Sequence, residues 1–233
     1  MTASIYPADF YSNRRTATAH AATCILSALP ATLPRKSIAD IGCGTGTWLA
    51  AAMAGGAQSA FGIEGHWVTP DMIDDSRIVF APQDLEHRFQ GPRVDLAMSL
   101  EVAEHLTPGR AESFIADLVA LAPAVLFSAA IPGQGGVNHL NEQWQSYWAA
   151  HFFRHGYQPF DVIRPAIWAD ALIPAWYKQN IVLYLDAEAA QQTGLQPVAA
   201  PALLDMVHPL FWERANRELE HAGALPESEY LKR

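Results

Sequence analysis

The stretch from Ser37 to Leu49, read as Ser-Ile-Ala-Asp-Ile-Gly-Cys-Gly-Thr-Gly-Thr-Trp-Leu, constrains this chain more than any other. Ser37 to Ile41 has the character of a buried strand, Gly42, Gly44 and Gly46 break it into a loop, and a helix restarts after them. Glycine allows backbone torsions closed to other residues and lets the main chain approach a ligand with no side chain between them. The stretch therefore reads as a cofactor cradle. A dinucleotide fingerprint has its third glycine three positions after the second; that position is Thr47 here. Asp40 places a carboxylate at the strand's end, which repels a pyrophosphate and suits a cationic or hydroxylated ligand.

In open α/β sheets, ligands bind in the crevice at the carboxyl ends of the strands, so further polar residues are expected at the ends of later strands. Ala60 to Glu64 is a short apolar strand ending in a carboxylate, able to accept hydrogen bonds from both hydroxyls of a ribose. Arg77 to Leu85 is a third strand, and Val94 to Glu101 a fourth that runs into Val102-Ala103-Glu104-His105-Leu106.

Asp40 with its G-x-G-x-G resembles the first motif of class I S-adenosylmethionine-dependent methyltransferases, in which the glycine loop lies under the amino-acid part of the cofactor. The resemblance implies that Asp40, Gly42, Gly44, Gly46, Trp48 and Glu64 contact S-adenosylmethionine. It likewise implies that Asp84 and Leu85 hold its adenine, and that Glu101 opens the family's fourth motif beside the transferable group. The fold it implies is a doubly wound, seven-stranded, mainly parallel α/β sheet with an antiparallel last strand and extra helices at both termini.

Composition agrees with one compact α/β domain: 233 residues, half of them hydrophobic and 17% charged. A net charge of −9, from 24 acids against 15 lysines and arginines, gives no footprint for phosphate contacts and argues against nucleic acid. Cys24 and Cys43 supply no disulfide framework, which suits a reducing compartment. Met1 to Arg15 has no apolar signal region, and the run from Leu118 to Pro132 is broken by Pro123 and Ser128, so neither membrane insertion nor export is expected and the cytoplasm is the default.

Along the chain, residues 1–35 read as a helical leader or lid, 36–185 as the cofactor-binding domain and 186–233 as a helical extension. Ala8 to Leu29 fits an amphipathic helix, with Phe10, Ala17, Ala21, Cys24, Ile25 and Leu29 toward the sheet; Tyr11, Arg14 and Arg15 either face the methionine carboxylate or lie at the surface. Thr107-Pro108 starts a sheet-packing helix through Phe114, Ile115, Leu118, Val119 and Leu121, and Ala124 to Ala129 is a fifth strand.

The loop from Ile131 to Trp144 is rich in glycine and carries Asn138, His139 and Asn141, the candidate acceptor contacts. Asn141 is expected to cap the next helix, Glu142 to favour its positive end, and Trp144, Tyr147, Trp148 and Phe152 to share one face until Gly156. Gln158 to Arg164 and Trp176 to Tyr184 read as two antiparallel strands. The combination of His-x-Asn-Glu-Gln-Trp with a later Trp-Tyr-x-Gln-Asn is similar to a bacterial small-molecule branch of the methyltransferase family, over residues 9 to 185. Helix signals recur from Pro201 and from Pro209 through His221, where Phe211 and Trp212 suit docking on the body or a dimer contact.

The resemblance implies methylation of a small-molecule acceptor in specialised metabolism. S-adenosylmethionine brings its own leaving group, so the protein has mainly to align a nucleophile with the methyl carbon. Trp144, Trp176 and Tyr177 are candidates for cation–π contact with the sulfonium, and His139 or His105 for taking a proton from a hydroxyl or amine. A second reading is a cyclase that closes the cofactor's own chain to azetidine-2-carboxylate with release of methylthioadenosine. A third is a binding module without catalysis. His151 and His155 have the i, i+4 spacing of half a metal site but no partner in a motif, so no metal centre is expected.

Overall fold

A computed structural model describes residues 8–221. In chain order the elements are α1 (Ala8–Ala28), β1 (Ser37–Ile41), α2 (Thr47–Ala54), β2 (Ser59–Glu64), β3 (Val79–Pro82), β4 (Leu96–Leu100), α3 (Ala111–Leu121), β5 (Ala124–Ser128), α4 (Gln145–Arg154), β6 (Gln158–Phe160), α5 (Ile163–Ile167), α6 (Ala175–Asn180), β7 (Val182–Leu185), α7 (Ala187–Thr193) and α8 (Pro209–His221). The strands form one seven-stranded sheet in the order β3-β2-β1-β4-β5-β7-β6, parallel except for β7, which is antiparallel to both β5 and β6. This is the expected doubly wound sheet. The chain runs from β1 outward to β3, then returns to β4 on the other side of β1, so the crevice opens between the carboxyl ends of β1 and β4.

Alternation along the strands makes two cores. Ile38, Leu96, Met98, Leu126 and Leu183 face α1, α2, α5 and α6, where Ile25, Leu49, Ile163 and Tyr177 are buried. Ala39, Ile41, Ala97, Val125 and Phe127 face α3 and α4, where Phe114, Leu118, Trp148 and Phe152 are buried. Ser99, wholly enclosed in β4, donates its hydroxyl to the Ile41 carbonyl at 3.0 Å, which keeps a polar side chain satisfied inside the sheet. Ala21, Cys24, Ile25 and Leu29 take the sheet-facing places expected of α1; the side chains of Phe10, Tyr11, Arg14 and Arg15 lie outside the described residues. Cys24 and Cys43 are free thiols. Among the described residues, no helix is long and apolar enough to cross a membrane.

Three local expectations are corrected. Trp176 to Asn180 is not the start of a strand but the helix α6, and the earlier strand stops at Phe160, with α5 following. Aromatic residues favour strands only where a pleated surface receives them; here Pro174 stands at the N-cap, the Tyr177 N–H donates to its carbonyl, and Ile181 N–H donates to that of Tyr177. The antiparallel pairing of the two strands survives in shorter form, from Gln158 with Leu185 to Phe160 with Leu183. Asn141 does not cap α4, which begins four residues later; Asp205 serves that end instead, accepting from the Ser146 N–H and hydroxyl at 2.8 Å each. Of the expected stripe on α4, Trp148 and Phe152 are buried, whereas Trp144 precedes the helix and is 40% exposed.

The segment after β7 is tied to the body. Arg164, 1% exposed, donates to the carbonyls of Gln179 (3.1 Å) and Leu204 (2.7 Å) and pairs with Asp161. Phe211 is half-buried under the Arg214 guanidinium, while Trp212 is 63% exposed. Removing a buried, fully bonded cation leaves its acceptors unpaired, which costs about 3 kcal/mol. Arg164→Met is therefore expected to lower the unfolding free energy by about 3 kcal/mol in urea denaturation; a loss below about 1 kcal/mol would contradict the role assigned to it.

Candidate functional site

The glycine loop is shaped by its backbone. Gly42, Gly44 and Gly46 have φ of 84°, 54° and 86°, in the left-handed region that non-glycine residues rarely occupy. At Gly42 a Cβ would also lie 2.3 Å from Val102 Cγ2, so the start of the loop is pressed against the turn that follows β4. Gly42 and Cys43 N–H both donate to the Ile63 carbonyl, and Gly46 N–H to that of Cys43. Asp74, which sequence patterning did not single out, clips the loop from outside: its carboxylate accepts from Thr47 Oγ1 at 2.8 Å and Thr45 Oγ1 at 3.3 Å, and its N–H donates to the Thr45 carbonyl.

Beside the loop stand three carboxylates. Glu64, at the end of β2, accepts from Gly44 N–H (3.0 Å) through Oε2 and from Gly65 N–H (2.8 Å) through Oε1. Asp40 is 2% exposed, and burial together with the neighbouring Glu64 pushes its carboxyl up to about 8. Burial also raises Glu64, against the two amides that favour its charged form. Glu101, just beyond β4, has φ of 58° and accepts from Gln134 Nε2 (2.9 Å) and Asn180 Nδ2 (3.0 Å). Gln179 and Asn180 both donate to Gln134 Oε1, closing a buried amide network around it. Burial raises Glu101, partly offset by the Asn180 and Gln134 bonds.

An aromatic wall completes this side. Trp48 is 6% exposed and meets Tyr177, 7% exposed, edge to face at 5.3 Å between ring centroids; Trp176 lies 5.9 Å from Tyr177. The Tyr177 phenol is pushed far above its ordinary pKa, chiefly by burial and then by the charges of Glu101 and Asp40, and stays neutral. Trp176 is half-buried and also lines an open groove of about 590 Å³ with Trp168, Lys178 and His208, which the glycine loop does not reach. Asp84 follows β3 with a side chain 57% exposed, held by Glu86 N–H and His87, while Leu85 is buried.

The loop from Ile131 to Trp144 folds around Glu142. Its carboxylate accepts from Gly133 N–H (2.8 Å), Gly135 N–H (2.9 Å) and His139 Nδ1 (2.8 Å). Burial alone would raise Glu142, but these three bonds outweigh it and leave its carboxyl below the usual range. Glu142 therefore organises the loop rather than the end of α4. His139 and His105 meet edge to face at 4.9 Å, and His105 Nδ1 lies 3.3 Å from the carbonyl of Asn138, itself at φ 58°. The His105 imidazole is held below its ordinary pKa, first by burial and then by His139. Glu104, 1% exposed, receives Leu140 and Asn141 N–H at its backbone carbonyl, yet neither of its carboxylate oxygens has a partner among the described residues. Burial, then Glu101, raise it well above the ordinary range. Asn141 is 2% exposed; its Oδ1 accepts from Gln143, and its Nδ2 has no partner among the described residues.

His151 packs instead on Tyr147 and Trp148, with Arg154 at 3.4 Å.

No family profile and no curated protein matches the sequence. Solved structures of the same fold do. Magnesium protoporphyrin IX methyltransferase of Synechocystis PCC 6803, crystallised with S-adenosylmethionine, aligns over 80% of this chain and 86% of its own with 16% identity and a TM-score of 0.54. An O-methyltransferase family protein of Burkholderia thailandensis aligns over 76% of this chain and 57% of its own (12% identity, TM-score 0.56). The dimethyltransferase RosA of Streptomyces davawensis, which acts on 8-amino-8-demethyl-D-riboflavin, aligns over 77% and 57% (13% identity, TM-score 0.55).

Two outcomes follow from this geometry. Gly42→Ala forces a side chain into the left-handed region and against Val102, at a cost of about 2–4 kcal/mol. Adding Val102→Ala should recover only the steric part, so a double variant as stable as the parent would contradict the torsional argument. Asp40 keeps its proton in the folded state up to about pH 8 but loses it near 3.8 when unfolded. Its contribution to stability is thus complete below the unfolded value and is lost as pH rises from about 4 to 8. Asp40→Asn should flatten the decline in unfolding free energy across that window; an unchanged slope would contradict it.

Proposed function

We propose that this chain is an S-adenosylmethionine-dependent methyltransferase acting on a small-molecule acceptor. One observation carries the reading: the glycine loop, Asp40, Glu64 and Glu101 converge at the carboxyl ends of β1, β2 and β4 against the Trp48–Tyr177 wall. The residues fit the cofactor. Each Glu64 oxygen accepts one backbone amide and keeps a lone pair for a ribose hydroxyl. The charge acting on Asp40 is that of Glu64, and Glu101, raised by burial, has His139 beside it. A ligand bearing an ammonium and a sulfonium supplies what such a cluster lacks, and the faces of Trp48 and Tyr177 favour a sulfonium by about 0.5–2 kcal/mol each. Leu85 offers an apolar contact for adenine, with Asp84 at the rim.

When bound, S-adenosylmethionine supplies an electrophilic methyl group on sulfur. The chain's part is then alignment and exclusion of water. The amide network of Gln134, Gln179 and Asn180 fixes Glu101, and Tyr177, neutral and buried, closes the site on the side of α6. The acceptor belongs on the opposite side, against Glu104, His105 and the loop residues Asn138, His139 and Asn141. Methyl transfer is favoured over ring closure of the cofactor because this second polar wall, with a buried carboxylate and a buried amide still lacking partners, is superfluous to a reaction without an acceptor. Free thiols at Cys24 and Cys43 agree with a cytoplasmic setting.

Calorimetry with S-adenosylmethionine should give a micromolar dissociation constant, weakened at least about tenfold in Glu64→Ala, which removes two charge-assisted acceptors. Mass spectrometry should find the cofactor intact without an acceptor and S-adenosylhomocysteine once one is supplied. No binding heat would refute the cofactor assignment, and methylthioadenosine with azetidine-2-carboxylate from the cofactor alone would refute methyl transfer.

A further inference from the structure

We propose that Glu104, His105 and His139 form a binding site for a divalent transition-metal ion on the acceptor side of the cleft. One ligand atom from each of the three lies within 4.8 Å of the other two. Donors bonded at about 2.1 Å to one ion are separated by about 3.0–3.5 Å, so side-chain adjustments of about an ångström close the set.

Two independent features point to a cation, and a third keeps one of the imidazoles in place. The first is Glu104 itself, enclosed at 1% exposure with both carboxylate oxygens unpartnered among the described residues. The Glu104 and Ala130 backbone groups favour its charged form only in part, and buried carboxyls are ordinarily paired or coordinate a metal. The second is the orientation of the two imidazoles. Asn138 presents a carbonyl to His105 Nδ1, and a carbonyl can only accept, so the proton is on Nδ1 and the lone pair of the neutral ring on Nε2. Glu142 does the same for His139 Nδ1, and is itself fixed by two backbone amides. An imidazole held through one nitrogen by an oxygen acceptor is the arrangement that orients metal-ligating histidines. The third is Gly136, where a Cβ would stand 2.1 Å from His139 Nε2, so that only glycine leaves the ring its place.

Two imidazoles and one carboxylate suit manganese, iron, cobalt or zinc in the divalent state, with positions left for exogenous oxygen ligands. Its role rests on the proposed function: an acceptor hydroxyl bound to such an ion ionises more readily than in water, which makes oxygen the favoured nucleophile.

The test uses the full chain freed of metal with a chelator and titrated with Co²⁺, read by visible absorption and calorimetry, with S-adenosylhomocysteine binding measured on the same samples. One equivalent of Co²⁺ should bind with nitrogen and oxygen ligation. Glu104→Gln and His139→Gln should each weaken it at least about tenfold while leaving S-adenosylhomocysteine affinity within about threefold, which also verifies folding. Cys24→Ser alters the other convergent donor set, His20, Cys24 and Asp170, and should change nothing. Absence of stoichiometric binding, equal binding in Glu104→Gln and His139→Gln, or a thiolate-to-cobalt band that disappears in Cys24→Ser would each overturn the site. Co²⁺ binding with no S-adenosylhomocysteine binding would uphold the cation site and overturn the proposed function instead.

Discussion

The structure depends on carboxyl groups buried together at strand ends, where desolvation outweighs the neighbours that favour their charged forms. Parallel strands in register place Asp40, Glu64 and Glu101 at the same edge of the sheet, because β1 pairs with both β2 and β4. Desolvation raises all three, and Glu64 adds to the rise at Asp40. Ionising groups buried in this way is costly, and Asp40 accordingly keeps its proton up to about pH 8. What offsets part of the cost is local: amides of the glycine loop on Glu64 and side-chain amides on Glu101. What remains would be relieved by a ligand bringing positive charge and hydrogen-bond donors, as the proposed sulfonium cofactor does.

The two halves of the cleft differ in how far their polar groups are satisfied. On the α6 side, every polar group around Glu101 is satisfied by another, from Gln134 through Gln179 to the His208 N–H. Such a network is rigid, and it fixes the wall without further ligands. On the side of the loop from Ile131 to Trp144, Glu104 and Asn141 keep unpaired atoms while His105 and His139 are held from behind. One wall is finished and the other awaits a partner. Under the proposed function, that asymmetry separates the side that would hold the cofactor from the side that would receive an acceptor, and a metal ion with it.

Much of this was legible in the sequence, and the reasons are specific. Gly42, Gly44 and Gly46 announce a backbone that only glycine can adopt, and short apolar runs ending in Glu64 and Glu101 announce strand ends, because both signals are local. Trp176 and Tyr177 read as a strand and fold as a helix, since their strand propensity yields to Pro174 at the N-cap and to the packing of Tyr177 against Trp48. The reading of Asn141 as a cap failed because the group that serves α4 is Asp205, about sixty residues further on, and no local pattern reveals it. Glu142 reads from the sequence as favouring the positive end of α4 and Glu104 reads only as part of its motif, whereas their roles in the folded chain are different. Those roles arise when the 131–144 loop folds back, bringing Glu142 to His139 and Asn138 to His105, and such returns are set by tertiary structure alone.

Whether the strand-end carboxylates and the glycine loop hold a sulfonium cofactor is decided by a crystal structure of the chain with S-adenosylhomocysteine. The ribose hydroxyls are expected on Glu64, the amino-acid portion over Gly42 to Gly46, and the sulfur beside Tyr177. Density for the ligand in the groove of Trp168, Lys178 and His208, with Glu64 untouched, would contradict this placement.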